Sequence, residues 1–194
     1  MATAWKLGKV PIKDRLMTLE QPGKPLLFDS DKGLVDDITA KFDVAVLAKS
    51  LQGKDEKDVA RTLEKLGQDV MKLTIELVDS KYLDRTGEMI EEVARQTGVS
   101  FPHRFERYIE LSILGLRPMD KWNITKSTTR EVVLQVSACA MHKALQEAGI
   151  QGLPCKAFCL ASFDAAAEKT GDRIKTEMKK TLPQDGMCQF AVSV

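Results

Sequence analysis

All four cysteines of this 194-residue chain, Cys139, Cys155, Cys159 and Cys188, lie in its last 56 residues, together with His142, one of only two histidines. A cysteine that serves only as a small apolar packing residue has no reason to avoid the first 138 residues of a chain rich in core-forming helix. The segregation therefore points to a shared site. The spacing is Cys-x2-His, twelve residues, Cys-x3-Cys, and twenty-eight residues to the last cysteine, which matches no short metal motif.

Two kinds of chemistry fit these residue types. Four thiolates close a tetrahedral zinc site or hold an iron-sulfur cluster, and Cys139 with His142 offers a mixed sulfur and nitrogen set. Alternatively, Cys139 acts as a nucleophile. At the start of a helix its thiolate is favoured by unpaired backbone N–H groups, and His142, three residues on, lies on the same side as the base. Against both stands the plain reading that Cys159 and Cys188 are core thiols, since cysteine is among the most buried residue types even where it binds nothing. His103, beside Arg104 and Arg107, reads as a solvated surface residue. Arg173, Lys175, Lys179 and Lys180 either line an anion pocket or form the wet face of an edge strand.

The elements that must position these groups are legible in outline. Residues 1–30, with Trp5, Gly8, Pro11, Pro22, Gly23 and Pro25, show no sustained period and read as an irregular N-terminal arm. Its Trp5, Leu26, Leu27 and Phe28 are costly to leave in water, so they are expected to pack on the body or on another subunit, as a homodimer strap would. Val35, Ile38, Phe42 and Ala45 predict one helix over 35–51, stopped by Gly53. Asp55 caps a second, whose stripe of Val59, Leu63, Leu66, Val70, Leu73 and Leu77 spans under three heptads and contains Gly67, so it reads as a packed helix rather than a zipper. Two more helices are expected over about 86–97 and 100–115.

After Pro118 the period changes to two. Trp122 and Ile124 share one face of a short strand, Ser127-Thr128-Thr129 turns, and Val132, Leu134 and Val136 share a face of the next. Cys139 then opens a helix stopped by Gly149, and a second helix covers about 160–169. Strands over 173–182 and 187–194 follow, joined by Pro183-Gln184-Asp185-Gly186, where Asp-Gly signals a turn. The expected fold is α+β: N-terminal helices packed with a four-stranded antiparallel sheet that carries two further helices. It divides into the arm (1–30), a helical region (31–118) and a cysteine-containing region (119–194), as one integrated domain.

Hydrophobic residues make up 43% of the chain, enough for a sizeable core. With 29 basic against 28 acidic residues there is no global field to recruit nucleic acid or an anionic membrane, and neither partner is expected. No apolar run approaches the roughly 18 residues of a spanning helix, and the N-terminus lacks a signal peptide's apolar region, so a cytoplasmic location is expected. In a reducing compartment clustered thiols serve as metal ligands or reactive groups more often than as disulfides.

The stretches "SACAMHKAL", "GLPCK" and "DRIKTEMKKTLPQDGMCQF" resemble the L-2-amino-thiazoline-4-carboxylic acid hydrolase family, itself distantly similar to 4-vinyl reductase ligand-binding domains. The resemblance covers about residues 120–194 and rests on Cys139, Cys155, Arg173, Lys175, Thr176 and Cys188. It implies an α+β fold with a cysteine-lined pocket for a small ligand or metal, and in the namesake enzymes hydrolytic opening of a ring containing sulfur and nitrogen. Cys159 falls outside that pattern, so the resemblance implies Cys139, Cys155 and Cys188 as the metal ligands, with Cys159 or His142 as a fourth. Arg173, Lys175 and Thr176 become candidate ligand-binding residues. Three function classes follow: a zinc or iron-sulfur protein acting as sensor or carrier of a small molecule; a hydrolase using metal-bound water or the Cys139 thiolate; and an interaction subunit of a larger assembly, marked by an apolar surface on residues 1–50.

Overall fold

The computed structural model describes residues 32–81, 91, 95, 121–127, 130–150, 152–171 and 173–193. The N-terminal arm, His103, the Thr128-Thr129 turn and the helices expected over 86–97 and 100–115 lie outside the described residues, apart from Glu91 and Arg95, which are helical. The chain has an α+β fold of helices and one four-stranded antiparallel sheet. Among the described residues no helix is long and apolar enough to cross a membrane.

The predicted 35–51 helix is two helices, α1 (Lys32–Lys41) and α2 (Val44–Ser50). The break has a local cause. Asp43 sits in extended backbone (φ −75°, ψ 109°), and its carboxylate accepts the N–H groups of Ala45 and Val46 at 2.8 and 3.0 Å, so it begins a new helix rather than continuing the old one. Asp55 likewise caps α3 (Glu56–Ser80), accepting from Asp58 N–H at 2.8 Å, with Glu56 and Asp58 in the first turn where the helix dipole favours negative charge.

The buried face of α3 is wider than its predicted stripe. Val59, Leu63, Val70 and Leu73 are buried as expected, but so are Met71, Thr74, Ile75 and Val78. The reason is that α3 serves two cores. Val59, Leu63 and Val70 join Ala48 and Leu51 of the α1–α2 segment, while Met71 and Ile75 join residues of the sheet.

The sheet contains β1 (Lys121–Ser127), β2 (Glu131–Ala138), β3 (Lys175–Lys180) and β4 (Cys188–Ser193) in the order β1-β2-β4-β3. The last strand thus pairs on both sides. Alternation puts Val132, Leu134 and Val136 on the inner face of β2, and the register sets them against Val192, Phe190 and Cys188. Between β2 and β3 run α4 (Ala140–Glu147) and α5 (Lys156–Thr170), the latter starting four residues before its predicted position. The expected Asp-Gly turn between β3 and β4 is instead a single helical turn, α6 (Leu182–Asp185). Its end is closed by Gly186 in the left-handed conformation (φ 71°), and Asp185 reaches back to accept the Thr181 N–H at 2.8 Å. Both strands are correspondingly shorter than predicted.

α5 packs on both the sheet and α3. Its Phe163 meets Phe190 of β4 with ring centroids 4.9 Å apart at 47°, a tilted geometry that aromatic quadrupoles favour. Among the described elements, its most extensive contact is with α3. Gly67 lies against Phe158 and Ser162, and Asp79 pairs with Lys169 at 2.9 Å, so the two helices run in the same direction. The approach is backbone to backbone: a Cβ on Gly67 would stand 2.2 Å from the Phe158 carbonyl oxygen. Ser162 Oγ lies 3.1 Å from the Gly67 carbonyl and 3.0 Å from that of Phe158, so its one proton is shared between two acceptors and the buried hydroxyl is satisfied.

Gly67→Ala tests this contact. Alanine favours a helix over glycine by about 1 kcal/mol, but forcing the helices apart costs about 3 kcal/mol, so a net loss of about 2 kcal/mol is expected. Gly149→Ala, where a Cβ meets nothing but φ is 71°, should lose only about 1 kcal/mol from backbone strain. Urea unfolding of both variants checks the order; a Gly67→Ala protein as stable as the wild type would remove the close contact.

Candidate functional site

The four cysteines are carried at or near the starts of three elements, α4, α5 and β4. Cys139 follows the last residue of β2 and stands as the N-cap of α4 in extended backbone (φ −141°, ψ 127°), its carbonyl accepting the Lys143 N–H at 3.0 Å while its thiol makes no capping bond. Cys155 is the N-cap of α5, delivered by a tight link. Gly152 (φ 69°) and Leu153 (φ 41°) both take positive φ, and the Cys155 N–H folds back onto the Leu153 carbonyl at 2.7 Å around Pro154. For leucine that conformation is uncommon and strained, and Leu153 is held in it by packing on the helical core. Cys159 follows one helical turn later. Cys188 opens β4 opposite Val136, and its Sγ accepts the Leu182 N–H at 3.3 Å.

These positions converge on the boundary between the two cores. Cys155 is buried in the helical core and Cys188 in the sheet core, while Cys139 and Cys159, both half-buried, pack against each. The register accounts for part of this: β2 passes Cys188 at Val136 and reaches Cys139 three residues later. Cys155 records the proximity electrostatically. Burial first, then the neighbouring charges of Cys139 and Cys188, push its thiol up to about 11, against the opposing pull of the backbone N–H groups of Cys155 and Lys156. None of the four cysteines is in a disulfide. Among the described residues no three His, Cys, Asp or Glu side chains are gathered closely enough to hold a metal ion as they stand, so the thiols share a seam rather than a closed ligand shell.

His142 lies on α4, one turn from Cys139. Its Nδ1 is fully enclosed and, among the described residues, has no hydrogen-bond partner. An enclosed ring nitrogen left unsatisfied is costly, and a water or a cation beside it would relieve the cost.

The candidate ligand-binding residues lie elsewhere. Lys175 pairs across the sheet with Ser193 and Thr176 with Val192, whereas Cys188 is at the opposite end of β4. Five residue steps along the strand separate those ends by roughly 16 Å. Lys175 is exposed and holds Glu177 at 2.5 Å, and Lys179 holds the same carboxylate from the other side; Lys175 first and then Lys179 draw the Glu177 carboxyl down to about 2. Thr176 is half-buried on the other face of β3, and Arg173 is exposed before the strand begins. The structure thus places Cys139, Cys155, Cys159 and Cys188 along the boundary of the two cores and Lys175 and Thr176 at the other end of the sheet. Of the apolar surface that would mark a docking protein, the described residues show one large exposed hydrophobic side chain, Val46. The strained Leu153 was not recognisable as a site element, although Gly-Leu-Pro before a cysteine marks the turn that creates it.

The Cys155 environment has a pH signature. The folded state holds its thiol protonated up to about pH 11, whereas an unfolded cysteine ionises near pH 8.5, so the folded chain keeps the extra proton in between. Stability that is fully present below roughly pH 8.5 is therefore lost as pH rises towards 11. The melting temperature under reducing conditions should fall more across that window in the wild type than in Cys155→Ala; parallel curves would contradict the buried thiol. Against known proteins, no family model, no curated protein sequence and no solved structure matches this chain.

Proposed function

We propose that the cysteine seam binds a thiophilic metal, as zinc or as an iron-sulfur cluster, through Cys139, Cys155 and Cys188, with His142 or Cys159 as the fourth group. The observation that carries this reading is the coupling of Cys155 to both Cys139 and Cys188, three thiols supplied by three different elements to one buried boundary. The donor types suit a soft cation. A positive charge in the seam would also offset the burial that keeps Cys155 protonated, and His142 Nδ1 supplies an unused nitrogen one turn from Cys139. Closing the shell requires the thiols to turn inward. In a reducing compartment such as the cytoplasm, the protein would serve as a sensor or carrier whose metal state reports on a small ligand.

The enclosed Nδ1 favours a second reading. With His142 as base, the Cys139 thiolate would attack a small cyclic or amide-like substrate, the chemistry implied by the resemblance to thiazoline-carboxylate hydrolases.

Serine variants separate the two. If the thiols are shared ligands, Cys139→Ser, Cys155→Ser and Cys188→Ser should each lose bound metal and lower the melting temperature together, because metal binding energy is partly folding energy. If Cys139 is a nucleophile, Cys139→Ser alone should abolish hydrolysis, with metal content and melting temperature unchanged. Elemental analysis and the absorption spectrum of protein purified without oxygen or chelator provide the measurement, since an iron-sulfur cluster is coloured and zinc is not. Wild-type protein free of metal under those conditions would overturn the metal reading.

A further inference from the structure

We propose that the edge of β3 is a docking surface for an extended, acidic segment of a partner protein, which adds to the sheet as a further strand. The inference involves no thiol and stands apart from the metal reading. Among the described strands β3 pairs with β4 alone, at one end of the order β1-β2-β4-β3. A strand in that position turns part of its backbone N–H and C=O groups away from the sheet, and those groups are the template that strand addition uses. The opposite edge is a poorer template, because β1 is interrupted by two register shifts whereas β3 is regular from Lys175 to Met178.

The side chains along this edge specify what would fit. Register sets Thr176 and Met178 opposite Val192 and Phe190, on the face that packs in the sheet core, and both are half-buried, as is Ile174 just before the strand. The sheet core therefore ends at β3 on groups that are still partly exposed. Lys175 and Glu177 lie opposite Ser193 and Ala191, on the outer face. Lys179 reaches Glu177 on that face, and the register shift between Met178 and Lys180 sets Lys180 opposite Gln189, so both lysines lie outward. With three exposed lysines against one glutamate, and exposed Arg173 just before the strand, this edge is positive in a chain whose net charge is only +1.

An added strand alternates its side chains between the same two faces. Acidic residues at alternate positions would lie beside the lysines, and apolar residues between them would extend the cover over Thr176 and Met178. The same edge disfavours other occupants. Two copies of β3 would bring like net charge together, which is the usual service of lysine on an edge strand. A single-stranded nucleic acid would meet lysines but no ring to stack on, since the outward residues through which β2 and β4 face each other are Glu131, Val133, Gln135, Gln189, Ala191 and Ser193.

The probe is a short synthetic peptide in which glutamate and valine alternate, fluorescently labelled and titrated with full-length reduced protein while its anisotropy is read. Binding is expected, and it should weaken about tenfold when salt is raised from about 0.05 to about 0.5 M. Lys175→Glu combined with Lys180→Glu should weaken it by at least about tenfold in a protein whose circular dichroism matches the wild type. Two peptide controls test the pairing without altering the protein. Methylating the peptide's backbone amides removes its donors and keeps its charge, and grouping the same glutamates at one end keeps its composition and loses the alternation; both changes should abolish binding. Equal binding of either control peptide, or of oligothymidylate, would overturn the proposal, as would an alternating peptide that does not bind at low salt.

Discussion

The contact of α3 with α5 at Gly67 is the constraint on which the arrangement of this protein depends. Only a residue without a side chain lets the Phe158 carbonyl come so close, and Ser162 satisfies the two carbonyls that the approach buries. With α3 fixed there, its first half lies in the helical core and its second half in the sheet core, so one helix joins the two. The start of α5 is fixed by the same contact. Cys155 is therefore placed by a glycine 88 positions earlier in the chain, a dependence that local sequence does not reveal.

The boundary between the cores suits thiols because they tolerate burial as neutral groups and become reactive or ligating only on losing a proton. Desolvation opposes that loss at Cys155, the helix-start N–H groups favour it, and Cys139 is half-exposed. The soft cation proposed above would act on such a site by displacing protons that burial retains. On β3, Lys175 and Lys179 both pair with Glu177, and the register holds Lys175 at the far end of the strand from Cys188.

The sequence by itself determined the elements whose signals are local. Period-four and period-three steps mark α3, Asp55 marks its start, alternation marks β2 and β4, and the segregation of the cysteines marks the region of the site. It misjudged places where a side chain competes with the backbone, as at Asp43, which divides one expected helix into two, and at Asp185 with Gly186, which turn a hairpin into a helical turn. Those choices hinge on single hydrogen bonds that periodicity does not encode.

Tertiary structure decided the rest. The second buried face of α3, with Met71 and Ile75, exists only because a sheet lies against it, and the insertion of β4 between β2 and β3 is a long-range pairing that no local pattern specifies. That pairing puts Cys188 beside the end of β2, where Cys139 begins α4, and it is also what separates Lys175 and Thr176 from the thiols they were grouped with in sequence. Residue type and spacing identify which groups can do chemistry. Which of them meet is set by strand register and by one glycine's lack of a side chain, because proximity between distant positions is a property of packed surfaces and not of the chain that carries them.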